Sequence, residues 1–477
     1  MAFDSRIVAD IVPPWLRKEI EQLAAEDITD NTPTEQPRGT FMQSLPWLTK
    51  GSLAIADQGI FAVSNFLLNV LLVRWLTPAD YGAFALAYSV FLSLLLIHNA
   101  LLTTPMLVFG QGKYRERFPE YLGILLRGHL ALLLPGSALL VAAAFLLGMV
   151  YSPAVERVFF ALAVAAPFIL LLWLLRRAFY ARLDPVWAAV GGVVYFVILV
   201  ASTAVLHKAA LLTPSTGFLS MAAASLITSA LLLVRLRPAL AADSSTIRSV
   251  AADHWSYGKW VAAGAGPNWV TDNIYFIVLP VWLGLAQVGA LKALLNLAQP
   301  ASQSISALGV LLMPILVRDR EIRGLGGMAK TMKLSTILFI SVSSVYMALL
   351  WTFRFHIFHS LYGSKFSAYD SWPLLAVGLI PIAQALPNVV GAALGAIERP
   401  KLGFWADSVS AAFALVVGVP LAFCLGVGGA LLGIALSYTV MGLLTLFFYI
   451  RSVRRDDPIT QPPAAAVPGP PNWTEAS

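Results

Sequence analysis

Long apolar segments recur along most of this 477-residue chain, and they restrict its possible folds more than any other feature. A helix of about 20 apolar residues spans a hydrocarbon core roughly 30 Å thick. Charged residues make up only 12% of the sequence, whereas soluble domains carry about 25%. The sequence predicts an all-α polytopic membrane protein with about 12 transmembrane helices, at 52–73, 82–105, 121–149, 157–175, 186–206, 213–234, 257–281, 287–316, 332–351, 371–396, 403–425 and 428–450.

Lysine and arginine residues are distributed unequally among the loops that join these segments. If the N-terminus is cytoplasmic, twenty of them, including Arg176 and Arg177, fall in cytoplasmic loops and the C-terminal tail, and five fall in the opposite loops. Positive residues accumulate on the cytoplasmic side of membrane proteins. The asymmetry predicts that both termini are cytoplasmic, with tails at 1–50 and 452–477. The first tail lacks the apolar core of a signal peptide.

The longest cytoplasmic loop between segments divides the chain into two halves of six helices each. We expect bundles at 51–235 and 257–451, joined by a cytoplasmic linker at 236–256. Both halves then have the same orientation, which predicts two six-helix bundles with a central cleft. A short repeat with a constant offset of 207 supports this division: Trp75, Leu76, Gly82 and Ala83 match Trp282, Leu283, Gly289 and Ala290.

The eighth segment carries a row of polar side chains. Lys292, Asn296, Gln299 and Gln303 are spaced 4, 3 and 4 residues apart, so a helix places them on one stripe that continues to Ser306. A charge at bilayer depth costs about 2.5–3.5 kcal/mol on insertion scales and usually faces a bundle interior or a wet cavity. The stripe is therefore a candidate wall of a substrate path. Alternatively, the lysine reaches the headgroups or forms an ion pair with the nearby carboxylate of the seventh segment.

Two further segments carry polar residues on one face, and we expect them to line the same cleft. Asp57, about two helical turns inside the first segment, must be paired, solvated or protonated. It and Asp272 are the candidates for binding a coupling ion. For every polar residue in these segments, the competing interpretation is packing against a neighbouring helix or stabilisation of a helix end. The further candidates for the substrate path are Asn65 and Asn69 in the first segment, Asn268, Asp272 and Tyr275 in the seventh, and Arg127 near the start of the third.

Several classes of function lack the residues that they need. Cys424 is the single cysteine, so an intrachain disulfide, a CxxC pair and a zinc cluster are excluded. The sequence contains no GxxxxGK[ST] phosphate loop and no HExxH or GxSxG motif. Its basic residues lie in short loops rather than on a soluble domain, which argues against binding to nucleic acid. We therefore expect no cofactor, no metal site and no enzymatic activity.

Four stretches of the sequence resemble a known family of transporters. In their order and spacing, these stretches resemble the corresponding stretches of polysaccharide transporters of the Wzx flippase type. Those transporters belong to the multidrug/oligosaccharidyl-lipid/polysaccharide exporter superfamily. The resemblance covers roughly residues 50–455. The four stretches are LVRWLTPADYGAFALAYSVF, LLWLLRRAFYARLDP, LYGSKFSAYDSWPLLAVGLIP and LGAIERPKLGFWADSVSAAFALVVGVPLAFCLGVGGALLG.

The resemblance implies a V-shaped pair of six-helix bundles that moves a polyprenyl-diphosphate-linked oligosaccharide across the bacterial inner membrane by alternating access. Such a flippase serves the assembly of surface polysaccharide, including exopolysaccharide and lipopolysaccharide. The implied partners are the lipid-linked oligosaccharide, membrane lipids and polymerase or ligase components. The resemblance also implies a cationic cavity that binds the diphosphate. Lys292 is the first candidate for the cation of this cavity, and Arg127 is the second. Neutral amides and hydroxyls suit sugar hydroxyl groups.

Two other functions stay open at this point. A cation-coupled multidrug exporter of the same superfamily would use Asp57 or Asp272 as its coupling carboxylate. A membrane-embedded glycan ligase or polymerase would need long outer loops rich in Arg, Asp or His, whereas the longest outer loop expected here covers about 352–370. The sequence favours the flippase over both.

Overall fold

A computed structural model describes residues 40–241, 243–363 and 365–456, with side chains from Asp57 onwards except those of residues 310, 455 and 456. The chain divides into two compact units, Met1–Gly51 and Ser52–Ser477. Of the first unit, residues 40–51 are described, and they are helical. Most of the predicted tails at 1–50 and 452–477 lies outside the described residues.

Every regular element among the described residues is helical. The helices in chain order are α1 (Thr40–Trp75), α2 (Pro78–Phe109), α3 (Phe118–Val150), α4 (Pro153–Ala181), α5 (Pro185–Lys208), α6 (Pro214–Leu236), α7 (Ser244–Leu283), α8 (Leu285–Thr352), α9 (Trp372–Ala396), α10 (Pro400–Phe413) and α11 (Val419–Asp456). Three π-helical segments occur among the described residues: Asn99–Thr103 lies within α2, Phe358–Tyr362 lies between α8 and α9, and Ala414–Gly418 joins α10 to α11. The connection between α8 and α9 also contains a short α-helix, Arg354–Ile357, and a 3-10 turn, Ser367–Tyr369.

Nine apolar helical stretches in the described residues are long enough to cross a membrane. Two of them are divided by a glycine with positive φ: Gly324 (φ 67°) in α8 and Gly426 (φ 60°) in α11. Glycine adopts this conformation at little cost, so the chain turns there without a loop. Together with α7, these stretches provide the twelve expected segments, and the predicted fold class is confirmed. The predicted segments leave a loop at 317–331, between the eighth and the ninth. That prediction is wrong, because α8 continues as helix on both sides of Gly324.

Several helices begin at a side chain that caps the free backbone amides of the first turn. Thr77, Ser152 and Thr213 each precede a proline and accept a hydrogen bond from the backbone amide three residues further on. Proline fits the first helical position because its missing N–H would have no partner there. Asp243 caps α7 in the same way. The predicted linker at 236–256 therefore contains only a short non-helical stretch before α7 begins.

The helices pack into two sets, α1–α6 and α7–α11, which we call bundle 1 and bundle 2. In bundle 1, α4 packs against α2, α3, α5 and α6, and most of its side chains are buried. In bundle 2, α9 packs between α8 and α11, while α7 packs against α10 and α11. The two sets are joined through α2, which packs against both α7 and α8. The helices α7 and α8 thus meet bundle 1 at α2.

Candidate functional site

The two bundles approach each other closely where α2 and α8 begin. A Cβ atom at Gly82 would lie 1.7 Å from a carbonyl oxygen of α8, and one at Gly289 would lie 2.4 Å from a carbonyl oxygen of α2. Any side chain at these positions would force the helices apart, because protein interiors leave no such free space. The two glycines are equivalent positions of the short repeat, so corresponding residues of the two bundles meet. We call this contact, between residues 78–89 and 285–296, the closed end.

Lys292 lies inside the closed end, where it is 7% exposed. Its Nζ atom lies 4.9 Å from the centroid of the Tyr88 ring and 6.0 Å from that of the Phe276 ring. One aromatic ring from each bundle thus contributes a cation–π contact. Among the described residues, no carboxylate lies within ion-pair distance of this ammonium group. Both alternatives considered for Lys292 are therefore wrong, because its ammonium neither reaches the surface nor pairs with Asp272.

Asn296, one turn further along α8, joins three helices through a chain of hydrogen bonds. Its side-chain amide donates to the Tyr81 hydroxyl at 2.9 Å, and that hydroxyl donates to Asn69 Oδ1 at 3.0 Å. The Asn69 amide donates in turn to the backbone carbonyl of Asn65 at 2.8 Å. The predicted polar residues of the first and eighth segments are thus brought together, through a tyrosine that was not predicted.

Exposure increases along the polar stripe of α8 with distance from the closed end. Lys292 and Asn296 are buried, Gln299 is half-buried, and Gln303 and Ser306 are exposed. Since these residues share one helical face, bundle 1 covers the first part of that face and leaves the later part accessible. The stripe is therefore closed at the start of α8 and open towards the middle of the helix.

Asp57 forms an ion pair inside bundle 1. Arg176 Nη2 donates to its Oδ2 at 2.7 Å, and the Tyr180 hydroxyl donates to the same oxygen. The guanidinium carbon also lies 4.1 Å from the centroid of the Phe61 ring, and the side chains of Asp57 and Arg176 are 0% and 3% exposed. The expectation that this carboxylate is paired, solvated or protonated is thus met by pairing. The assignment of Arg176 to a cytoplasmic loop is wrong, because α4 continues beyond it.

Two carboxylates in bundle 2 have neutral partners. The Tyr438 hydroxyl donates to Asp272 Oδ1 at 2.7 Å, and the Asn268 amide donates to Asp407 Oδ2 at 3.2 Å. In the part of the chain that the structure describes, no cation lies within ion-pair distance of either carboxylate. A carboxylate with only hydroxyl or amide partners retains the capacity to take up a proton or a cation.

Tyr275 and Arg127 lie outside the polar stripe of α8. Tyr275 is fully buried in bundle 2, and a Cβ atom at Gly418 would lie 2.0 Å from its hydroxyl oxygen. Its ring therefore fills the space between α7 and the π-helical segment that precedes α11. Arg127 is exposed and donates to the backbone carbonyl of Leu240, in the linker. These contacts explain both residues by packing, and their part in a substrate path stays a prediction.

Several residues of these clusters, among them Asp407, Arg176, Tyr81 and Tyr438, were not among the predicted site residues. Asp407 could have been found from the sequence, because it is a carboxylate inside the predicted segment 403–425. Asp57 and Asp272 were found by the same criterion. Arg176 was hidden by its position beside a second arginine at the end of a segment. Tyr81 and Tyr438 had no signal, because aromatic residues are common in membrane helices for reasons unrelated to a site.

Comparison with protein-family models and with curated proteins found no match for this chain. Solved structures match it in fold. An inward-facing conformation of a multidrug resistance MATE family transporter of the MOP superfamily superimposes with a TM-score of 0.69, at 12% identity, over 84% of this chain and 98% of that one. The chain has the fold of MOP superfamily transporters. Its fold thus agrees with the superfamily that the sequence resembles.

Two further structures refine this likeness. The lipid II flippase MurJ, in an inward closed conformation, gives a TM-score of 0.67 at 12% identity, over 84% of this chain and 87% of that one. An outward-facing MATE family transporter of the MOP superfamily gives 0.58 at 14% identity, over 88% of this chain and 99% of that one. The agreement is better with the two inward conformations than with the outward-facing one.

Proposed function

We propose that this chain is a flippase that moves a polyprenyl-diphosphate-linked oligosaccharide across the bacterial inner membrane by alternating access. The observation that carries this proposal is the polar stripe of α8, on which a buried cation without a carboxylate partner precedes progressively more exposed amides. The fold, which resembles that of the lipid II flippase MurJ, and the resemblance of the sequence to Wzx-type flippases support it.

The stripe offers the two kinds of interaction that such a substrate needs. Lys292 carries a charge that no carboxylate of the described residues neutralises. It can therefore bind the diphosphate through charge-assisted hydrogen bonds once the closed end opens. The amides of Gln299 and Gln303 donate and accept hydrogen bonds, as sugar hydroxyl groups require, and they are accessible in this conformation. The polyprenyl tail stays in the bilayer beside the bundles.

The distribution of Lys and Arg supports an orientation in which the closed end lies on the outer side of the membrane. Both termini are then cytoplasmic, and the substrate enters from the cytoplasmic leaflet. Polymerase or ligase components consume the oligosaccharide on the outer side, for exopolysaccharide or lipopolysaccharide assembly. The chain itself acts as a transporter and not as an enzyme. An ion gradient or removal of the product supplies the energy.

Reconstitution tests this proposal. The full chain is placed in proteoliposomes with a fluorescent polyprenyl-diphosphate oligosaccharide, and translocation is followed with a membrane-impermeant quencher. Lys292→Met should slow translocation roughly tenfold or more, because a hydrogen bond to a charged group contributes about 1.5–3 kcal/mol. Lys292→Arg should retain most of the rate. Lys208→Met, at the exposed end of α5, is the matched control and should leave the rate unchanged.

Two results would contradict the proposal. The first is a wild-type chain that is folded in the liposomes and moves no lipid-linked oligosaccharide. The second is a Lys292→Met variant that transports at the wild-type rate while its melting temperature falls, since that outcome assigns the lysine to packing. In cells, deletion of the gene should trap intact precursor in the inner leaflet and abolish the surface polymer.

The second candidate is a cation-coupled multidrug exporter, and the carboxylates of bundle 2 favour it. Asp272 and Asp407 have neutral partners, on α11 and α7 respectively, as a site that cycles between bound and free states requires. This function predicts drug efflux that depends on a sodium or proton gradient and is lost in Asp272→Asn. Gradient-driven drug efflux together with normal surface polysaccharide in a deletion strain would replace the flippase proposal by this one.

A further inference from the structure

Two cations beside the closed end bind backbone carbonyls of the opposite bundle. Lys365, in the loop between α8 and α9, donates to the carbonyl oxygens of Val73, Arg74 and Leu76 at 3.3, 2.6 and 2.7 Å. In the other direction, Arg74 Nη1 donates to the carbonyl oxygen of Ser360 in that loop at 2.8 Å. We call the two cations and their carbonyl acceptors the clasp. It connects the end of α1 to bundle 2.

The loop that carries Lys365 is itself fixed to α8. The Tyr362 hydroxyl donates to the carbonyl oxygen of Ala293 at 2.8 Å, and the Tyr369 hydroxyl donates to Gln287 Oε1 at 2.5 Å. The aromatic rings of the loop also contact one another edge to face. Because the loop and the start of α8 are joined in this way, the clasp separates only when bundle 2 moves away from bundle 1.

The acceptors of the clasp suit a cation that has no carboxylate partner. The last carbonyl groups of a helix have no partner within the helix, and they carry the negative end of its dipole. Partial burial lowers the pKa of Lys365 from the ordinary lysine value. Among the described residues, no carboxylate lies within ion-pair distance of Lys365 or Arg74. Both cations therefore depend on carbonyl acceptors that the other bundle supplies.

We propose that the clasp holds the closed end shut and sets the fraction of molecules in this conformation. The inference rests on the proposed function in one respect: a transporter that works by alternating access opens this end during its cycle. The contacts of the clasp exist only while the bundles touch, so they stabilise the closed conformation relative to the open one. A cation that only capped α1 would instead stabilise the fold equally in both conformations.

Spin-label distances separate these two roles. Cys424, the single cysteine, is replaced by serine, and labels are placed at Ala79 on α2 and Ala286 on α8, which are both exposed. Distances are measured in lipid nanodiscs without substrate. The parent protein should show one short distance. Lys365→Met should add a longer distance and raise the open-to-closed ratio roughly tenfold or more, since each hydrogen bond to a charged group contributes about 1.5–3 kcal/mol.

Three variants complete the experiment. Arg74→Met should shift the distances in the same direction, Lys365→Arg should restore most of the closed population, and Lys208→Met should change nothing. The proposal is overturned if Lys365→Met keeps the parent distance distribution, whether or not its melting temperature falls. Because no substrate is present, a clasp that releases as expected while no lipid-linked oligosaccharide moves in liposomes would refute the proposed function and leave this inference standing.

Discussion

Asp57 in bundle 1 and Asp272 in bundle 2 are both carboxylates within membrane helices, and their partners differ in kind. Asp57 pairs with the buried Arg176 guanidinium at 2.7 Å. Asp272 accepts a hydrogen bond from the Tyr438 hydroxyl at 2.7 Å and has no ion pair within the described ranges. The comparison shows that a buried cation neutralises the first charge, whereas the second has only a neutral hydroxyl group as its partner.

The physical reason lies in the cost of burying charge. Two buried ions lose their hydration, and their attraction offsets that loss only while both are present. Removal of one partner leaves an uncompensated charge in a medium that solvates it poorly. A hydrogen bond from a hydroxyl group contributes less, so its loss costs less. The same kind of substitution should therefore have unequal effects in the two bundles.

The largest effect is expected for Arg176→Met, which leaves Asp57 buried without its counter-charge. The free energy of unfolding should fall by about 3–5 kcal/mol. Thermal unfolding of the purified protein in detergent measures this loss. Arg177→Met is the matched control, because its guanidinium forms no ion pair among the described residues; it should change the free energy of unfolding by less than about 1 kcal/mol.

A double substitution tests whether the loss comes from the unpaired charge. Asp57→Asn combined with Arg176→Met removes both charges, and it should recover at least half of the stability that the single Arg176→Met variant loses, since paired residues are not additive. If the double variant is less stable than Arg176→Met alone, the ion pair is not the cause, and packing of Arg176 on Phe61 becomes the explanation.

A smaller effect is expected when the two aspartates are each replaced by asparagine. Asp272→Asn keeps an oxygen that accepts the Tyr438 hydrogen bond. Its free energy of unfolding should therefore differ from that of the wild type by less than about 1 kcal/mol. Asp57→Asn should cost about 3 kcal/mol, because it leaves Arg176 buried and unpaired. Equal losses of unfolding free energy in the two variants would show that the two carboxylates contribute equally to stability, although their partners differ.

The smallest effect is expected at Asp253, which is paired but accessible. Its carboxylate lies 2.6 Å from Lys113 Nζ, with side chains 26% and 52% exposed. Burial favours a higher pKa, but the hydrogen bonds from Lys113 and Tyr114 outweigh it and lower the pKa of Asp253. The pair therefore stabilises the fold above the unfolded-state pKa of about 4, and this contribution is lost as pH falls through the folded-state pKa.

Unfolding curves between pH 5 and pH 3 check this expectation. The wild type should lose slightly more stability than Asp253→Asn over that range, by less than about 1 kcal/mol, because solvent screens an exposed pair. A loss as large as that of Arg176→Met would show that pairing alone, without burial, determines the energy. Parallel curves would show that the exposed pair contributes nothing measurable.

The helices and the polar stripe could be predicted because each depends on residues close together in the sequence. Apolar length gives the spans, and helical spacing places Lys292 on the same face as Asn296. The partners could not be predicted, because they are distant in sequence. Arg176 is 119 residues from Asp57, and Tyr438 is 166 residues from Asp272. The alternative that Lys292 pairs with Asp272 was wrong, because the fold encloses the lysine between Tyr88 and Phe276 and gives the aspartate the Tyr438 hydroxyl as its partner.

The sequence by itself determined that the chain spans a membrane many times and which residues in the spans are polar, whereas the relation between its two halves stays a prediction from the short repeat. The spans and their polar residues follow from the cost of placing charges and unpaired backbone in lipid. Only the tertiary structure decided that Gly82 meets Gly289, that Lys292 is enclosed by rings from both bundles, and that the stripe is covered at one end. Those features depend on how two bundles dock, and docking is fixed by contacts between distant parts of the chain.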